Sequence, residues 1–347
     1  MRDEEKNLER FLRSVEGCFD EVHLTDTGSV DQTRKLAVDK GQEWAGCPVK
    51  VKDFVWCDDF AAARNYSMGS ATTDYVMWMD LDDVMSSKVE FTRWRDNVME
   101  LGDFWLATYN YAFKDGRPVC SFLRERVIKT SKKFSWQFFI HEGMIAEEAV
   151  AAQAAMNWTI DHMRTEEDYK KDYERNVSML ENRSKKEELP PRLQWYFGKE
   201  LHDKGRFAES YTWLNKIIDS PVLELHDRIL CHEYLSRSCL QRFFKEEMHL
   251  PENQRDVRLV IKAQQVALQG LVLSPLRAEF YCLIGDSLVN LGKEREALPM
   301  YTAAKTCAKP MGMDNGFLFV NHPAYDEVPR NAIAGIKFKM GDLDGAI

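Results

Sequence analysis

The chain has 347 residues, 44% hydrophobic and 30% charged, with a formal net charge of -9 at pH 7. That length allows two domains with a sizeable core, and the acidic balance argues against nucleic acid as the main partner, because a phosphate backbone demands a basic face. No signal peptide and no apolar run near a membrane span is evident, and the eight cysteines, none in a C-x-x-C pair, fit reduced thiols in a cytoplasmic protein better than a zinc or disulfide framework.

Residues 4 to 17 carry Leu8, Phe11, Leu12 and Val15 at helical spacing, which predicts an amphipathic helix closed by Gly17. Glu21 to Thr25 alternates as a strand and runs into Asp26-Thr27-Gly28-Ser29-Val30-Asp31, with a helix expected from Gln32 to Lys40. A strand ending in acids, a glycine turn and a helix make one βα unit, in which Asp26 reaches a pocket and Asp31 caps the helix. A weaker strand, Val49 to Val55, leads to Asp59-Phe60-Ala61-Ala62-Ala63-Arg64-Asn65. Asp59 is a natural N-cap there. Arg64 brings a planar cation suited to phosphate, although taken alone it fits a surface salt bridge equally well.

Tyr75-Val76-Met77-Trp78-Met79 reads as a fully buried strand, and Asp80, Asp82 and Asp83 fall where it should end. In an open α/β sheet the ligand crevice lies at the carboxyl ends of the strands. Asp80 and Asp82 are two apart, project to one side of an extended chain, and suit one hard cation held between them and a diphosphate. In isolation the same acids describe a solvated turn. The alternation of β and α over the first 85 residues implies a mostly parallel sheet.

From Phe104 the pattern changes to short strands, with Lys114-Asp115-Gly116 as a hairpin turn before Ser121 to Ile128. Phe138-Phe139-Ile140-His141-Glu142-Gly143 offers Glu142 as a general base in a partly dry cleft, with Asp103 and Asp115 as lesser candidates. Trp158-Thr159-Ile160-Asp161-His162 is a further strand ending in titratable groups. A charged helix over 165 to 188 is broken at Pro190-Pro191. Trp195-Tyr196-Phe197-Gly198 with the turn at Gly205, and Tyr281-Cys282-Leu283-Ile284-Gly285 with Gly292, Ala297, Tyr301 and Ala304, then have the spacing of tetratricopeptide repeats. A degenerate unit lies between them, with a polar insertion around Glu246 to Asp256, and another begins near Asn331. Stacked helix pairs of this kind predict a right-handed solenoid.

The helix at Glu4-Glu5-Lys6-Asn7-Leu8, then Asp26 to Asp31, then Asp59 to Asn65, then Asp80-Leu81-Asp82-Asp83, in that order and spacing, resembles glycosyltransferase family 2. The likeness is greatest to bacterial and phage-type members with tetratricopeptide repeats behind the catalytic domain. It implies an α/β GT-A fold, with a Rossmann-like, mostly parallel sheet over residues 1–163, a helical linker over 164–190, and an all-α tetratricopeptide-like solenoid over 191–347. It also implies a nucleotide-sugar donor, with UDP-glucose or UDP-N-acetylglucosamine expected, a divalent metal, Mn2+ or Mg2+, and inversion at the sugar.

Carried over by position, Asp26 resembles the acid on the nucleotide base, and the motif residues Gly28, Asp59, Arg64 and Asn65 line the donor site. Asp80 resembles the acid facing ribose and metal, and Asp82 the metal ligand. The recurring His-Glu pair places Glu142 as base with His141 beside the diphosphate or metal, and His162 completes the metal shell. An imidazole with carboxylate oxygens suits Mn2+ better than Ca2+.

The strand that precedes the first helix in that family has no counterpart here, and both ends of the chain read as cut. The acceptor implied is a protein, peptide or glycan, with self-association through the repeats as an alternative use of the solenoid. Two other readings stand beside the enzyme: a catalytically lapsed interaction scaffold, and a nucleotidyltransferase, which lacks support from any glycine-rich basic loop.

Overall fold

The computed structural model describes residues 1–310 and 319–342 in two compact units, the first spanning Met1–Glu166 and the second the described residues from Glu167 onward. In the first unit the helix expected at the start forms as α1 (Glu5–Ser14) and buries Leu8, Phe11 and Leu12. It ends short of Gly17, whose φ of 75° turns the chain in a conformation that glycine adopts without a side-chain clash.

Strand β1 (Val22–Asp26), helix α2 (Thr33–Ala45) and strand β2 (Val49–Asp53) make the expected parallel unit, paired in register from Val22 opposite Val49 to Asp26 opposite Asp53. Asp31 accepts from the Thr33 amide at 2.9 Å and starts α2. Helix α3 (Phe60–Met68) is capped by Asp59, whose carboxylate accepts from the Ala62 amide at 2.9 Å, as its sequence predicts.

The central apolar run is a strand only as β3 (Tyr75–Met77). Past Met77 the chain closes into a turn: the Asp83 amide donates to the Asp80 carbonyl at 3.0 Å and the Asp80 amide donates to the Asp83 carboxylate at 3.1 Å. Strand β4 (Asp83–Met85) then leaves in a new direction, followed by α4 (Lys88–Asn97), β5 (Phe104–Lys114), β6 (Arg117–Lys129), β7 (Phe134–Gln137), β8 (Gly143–Ala146) and β9 (Ala152–His162).

In this unit the strands other than the β1–β2 and β7–β8 pairs line up as β3-β6-β5-β9-β4. Only β5 and β9 are parallel among these neighbours; the others are antiparallel. The sheet is therefore mixed in this half, because the tight hairpin between β5 and β6 forces those two strands to run in opposite directions. At its tip Asp115 and Gly116 have φ of 51° and 73°, the positive pair that a two-residue hairpin turn requires. One irregularity matters for the site. Ala107 faces Ala155 but its neighbour Thr108 faces Thr159, so β9 carries three extra residues there before the ladder resumes at Thr159, and His162 then lies opposite Asp83 of β4.

Beneath the sheet, Phe91 and Trp94 of α4 meet Trp158 at ring distances of 5.1 and 5.2 Å, and Trp94 meets Trp105 edge-on at 5.0 Å. Such edge-to-face contacts are worth about 0.5–1.5 kcal/mol each beyond the buried area. They anchor the C-terminal stretch of β9, and with it the strand end that carries His162.

The second unit is helical. The described residues give α5 (Glu166–Ser184), α6 (Pro191–Asp203), α7 (Phe207–Ile217), α8 (Leu225–Glu246), α9 (Arg258–Leu273), α10 (Ala278–Asn290), α11 (Glu294–Thr306) and α12 (Glu327–Lys339). Pro191 occupies the first turn of α6, where a missing N–H costs nothing. The pairs α6–α7, α8–α9 and α10–α11 match the repeats read from the sequence, and the polar insertion is the connection between α8 and α9. The final repeat begins as α12, and its continuation to Ile347 lies outside the described residues. Close approach within a pair depends on small residues: a Cβ placed on Gly198 would lie 2.5 Å from Leu214, and one on Gly285 would lie 2.7 Å from Tyr301.

Candidate active site

The turn from Asp80 to Asp83 is the centre of the site, and the folding of that turn decides what each acid faces. Asp83 is fully buried and fully satisfied. One of its oxygens accepts from the Tyr109 hydroxyl at 2.8 Å and lies 3.1 Å from His162 Nδ1. The other accepts from Arg126 Nη1 at 3.1 Å. Burial pushes the Asp83 carboxyl up, but Arg126 and His162 outweigh it and leave its pKa below the usual value.

Arg126 is itself fully buried, donates also to the Trp78 carbonyl at 3.2 Å, and lies over the rings of Trp78 and Tyr109 at 4.1 and 4.5 Å. Those two ring faces take the place of hydrogen-bond partners for the rest of the guanidinium.

Asp82 is buried to 3% exposure and differs in one respect from its neighbour. Arg164 Nε donates to its Oδ2, and His162 Nδ1 lies 3.7 Å from its Oδ1. No donor among the described residues reaches that Oδ1. A buried carboxylate oxygen without a hydrogen bond is costly and marks a place where a further cation belongs. Burial raises the Asp82 carboxyl against the pull of His162 and Arg164. One donor atom each from Asp82, Asp83 and His162 lies within 4.8 Å of the others. Two carboxylates and an imidazole are a donor set for Mn2+ or Mg2+, so these residues fit a divalent cation.

Asp80 points elsewhere. Its side chain is 41% exposed and pairs with Arg64, whose Nη2 donates to it at 3.1 Å while Nε donates to Glu142 at 2.5 Å. Arg64 is wedged between the rings of Trp78 and Trp136 at 4.4 and 5.1 Å. Desolvation raises Asp80 and Glu142, but Arg64 dominates both and holds both pKa values below the usual carboxylate range. Glu142 follows two residues in left-handed backbone, Phe138 and His141, at φ of 70° and 50°, an uncommon conformation for side-chain-bearing residues. The Phe60 amide ties this loop to α3 through the Phe139 carbonyl at 2.8 Å.

Of the remaining candidates read from the sequence, Asp103 and Asp115 flank β5 at its two ends and are not brought to this centre. Asp26 is buried and accepts from the Ser29 hydroxyl at 2.5 Å across a turn in which Gly28 has a φ of 101°. The Asn65 side chain clamps β7, donating to the Trp136 carbonyl at 3.0 Å and accepting from its amide at 2.8 Å. Asp103 accepts from the Ala151 amide at 3.2 Å at the start of β5, and Asp115 sits at the hairpin tip. His141 stands beside Glu142 in the loop, outside the Asp82-Asp83-His162 group.

Asp83 reads from the sequence as a pocket acid but without a ligand role, and Arg126, Tyr109, Trp78, Trp136 and Arg164, which help build this site, were not read as functional. The visible signal was Arg124-Glu125-Arg126 within a strand, because two cations two residues apart share one face.

Residues 1–93 match the family model described as Glycosyl transferase family 2. The chain carries a glycosyltransferase family 2 domain. The matched segment ends after the Asp80-Leu81-Asp82-Asp83 turn and so contains Asp26, Asp59, Arg64 and all three acids. A TPR repeat-containing protein of Synechococcus elongatus is 39% identical over 83 residues, 24% of this chain and 19% of the relative. The SPbeta prophage-derived glycosyltransferase SunS of Bacillus subtilis is 24% identical over 224 residues, 63% of this chain and 51% of the relative. The chain thus spans about a fifth and about half of these curated relatives. Among solved structures, MamA aligns with a TM-score of 0.37 at 13% identity, over 52% of this chain and 85% of that one. S. aureus TarS 1-349 in complex with UDP-GlcNAc aligns with a TM-score of 0.34 at 14% identity, over 87% and 89%. No helix among the described residues is long and apolar enough to cross a membrane.

Proposed function

We propose that the family 2 domain is a metal-dependent, inverting glycosyltransferase that moves a sugar from a nucleoside-diphosphate donor to a hydroxyl or thiol acceptor. The observation that carries this reading is the buried, unmatched Asp82 Oδ1 beside Asp83 and His162 in a glycosyltransferase family 2 domain. A divalent ion held by these three residues would offset the charge that gathers on the departing diphosphate.

The acceptor oxygen or sulfur attacks the anomeric carbon, the bond from that carbon to the diphosphate breaks, and the acceptor proton passes to a carboxylate. Glu142 is the carboxylate proposed for that role, although Arg64 beside it holds its pKa below the ordinary value and so weakens it as a base in the resting chain. Arg64 restrains its basicity, so an incoming diphosphate that draws Arg64 away would strengthen it. On this reading Asp26, on the turn with Gly28, contacts the nucleoside, and the helical unit selects a protein or glycan acceptor.

The test is release of nucleoside diphosphate from a panel of nucleotide sugars, led by UDP-glucose and UDP-N-acetylglucosamine, with Mn2+ or Mg2+. Turnover that disappears on Asp82→Ala supports the enzyme. Absence of donor binding across the panel would favour an interaction scaffold instead.

A further inference from the structure

One indole in the first unit carries three guanidinium groups. Trp78 has Arg126 at 4.1 Å, Arg64 at 4.4 Å and Arg124 at 5.0 Å from its ring centre. Two of these cations have carboxylate partners at hydrogen-bond distance: Arg64 holds Glu142 and Asp80, and Arg126 holds Asp83. Arg124 has none. Its nearest carboxylate is that of its chain neighbour Glu125, 3.8 Å from Nε, beyond hydrogen-bond reach. The Arg124 Nε is buried, and among the described residues it finds no acceptor. The side chain is 25% exposed, so the group is sheltered yet reachable.

The backbone explains the placement. Arg124 and Arg126 are two apart on β6 and share a face. On β5, Arg124 lies opposite Ala107, too small to supply an acceptor. An arginine offers five N–H donors in a planar fork, and a buried Nε–H without an acceptor is unfavourable.

The charged groups around Trp78 and the acid turn are Asp80, Asp82, Asp83, Glu125 and Glu142 with Arg64, Arg124, Arg126 and Arg164. Within that group two atoms of opposite sign, Asp82 Oδ1 and Arg124 Nε, have no hydrogen-bond partner among the described residues. A divalent ion carrying a diphosphate supplies a partner to each at once, and the planar fork of arginine matches phosphate oxygens in pairs.

We propose that Arg124 is a donor-binding residue that grips the diphosphate, which rests on the glycosyltransferase reading above. Its field also lowers both Asp80 and Glu142, so its charge lies near the two carboxylates that Arg64 holds.

The test compares nucleotides that differ only in the second phosphate. Isothermal titration of the intact chain with UDP, GDP, CDP and dTDP in Mn2+ identifies the tightest diphosphate, and its own monophosphate serves as the control. Arg124→Gln should weaken the diphosphate at least tenfold while changing the monophosphate less than twofold. Arg124→Lys, which keeps the charge and loses the fork, should fall between. An equal loss for both nucleotides, or no loss, overturns the proposal. Should Arg124→Gln misfold, as judged by its melting curve, the lysine variant decides alone: a diphosphate affinity equal to wild type overturns the role of the fork. Wild-type protein that binds none of the four diphosphates overturns the glycosyltransferase reading and this assignment with it, a result distinct from an intact wild type with an indifferent variant.

Discussion

Arg64 and Glu142 form a buried ion pair in which the guanidinium Nε donates to the carboxylate at 2.5 Å, with side chains only 18% and 9% exposed. The pair joins α3 to the strained loop before β8, and its partners are 78 residues apart in sequence.

Because neither group is well solvated, removing Arg64 strands Glu142, whereas removing Glu142 leaves Arg64 with Asp80. Arg64→Met should cost about 3–5 kcal/mol and Glu142→Gln less. The double variant should lose less than the sum, with a coupling of about 1–3 kcal/mol, measured by chemical denaturation in a double-mutant cycle. Additive losses would mean that the pair contributes nothing as a pair.

The same pair sets a pH dependence. Glu142 is held below its ordinary value of 4.5 in the folded chain. Its contribution is therefore complete above the unfolded value and disappears as the pH falls through the lower folded one. The stability gap between wild type and Glu142→Gln should stay constant from neutral pH down to about 5.5 and narrow below about 4.5, as followed by melting curves in matched buffers.

Asp82 behaves in the opposite sense, since burial raises its carboxyl. Ionised Asp82 is what a cation requires, so Mn2+ affinity should fall as the pH drops from neutral toward the carboxylate range. Saturating Mn2+ should raise the melting temperature, by about 2.7 kcal/mol of stabilisation at a hundred times the dissociation constant. Asp82→Ala and His162→Ala should abolish that rise, whereas Asp80→Ala, whose side chain faces Arg64, should keep most of it. Loss of the rise in all three variants alike would contradict the division of roles.

In the helical unit three glycines give a controlled comparison. A Cβ on Gly270 would lie 2.3 Å from the Phe280 ring, and one on Gly285 would lie 2.7 Å from Tyr301, while one on Gly335 meets nothing within 4 Å. Gly270→Ala and Gly285→Ala should each destabilise by about 1–3 kcal/mol through overpacking. Gly335→Ala, on α12, should be neutral or stabilise by up to about 1 kcal/mol, because alanine loses less backbone freedom in a helix.

Much of this architecture is legible in the amino-acid order. The amphipathic first helix, the Asp59 cap, the β1–α2–β2 unit, the Asp-Gly hairpin and the repeat pairs all follow from local rules of spacing, capping and turn chemistry. What escaped depends on contacts across long sequence separations. An extended reading of Tyr75 to Asp83 sets Asp80 and Asp82 side by side; the folded turn instead sends Asp80 to Arg64 and turns Asp82 and Asp83 toward His162. Tyr109 read as one aromatic among many, and only the register of β5 against β6 and β9 brings it to Asp83. Arg126 and Trp78 likewise meet through the fold, 48 positions apart.

The irregular stretch of β9 has a bearing on which length changes this domain tolerates. Between Ala155 and Thr159 the strand slips by three residues and still delivers His162 opposite Asp83. An odd excess is already absorbed there, because pairing of Ile160, Asp161 and His162 with β4 re-anchors the strand beyond the irregularity. Length changes confined to the irregular stretch should therefore leave His162 facing Asp83, whereas a one-residue change within the paired segment turns the imidazole to the other face.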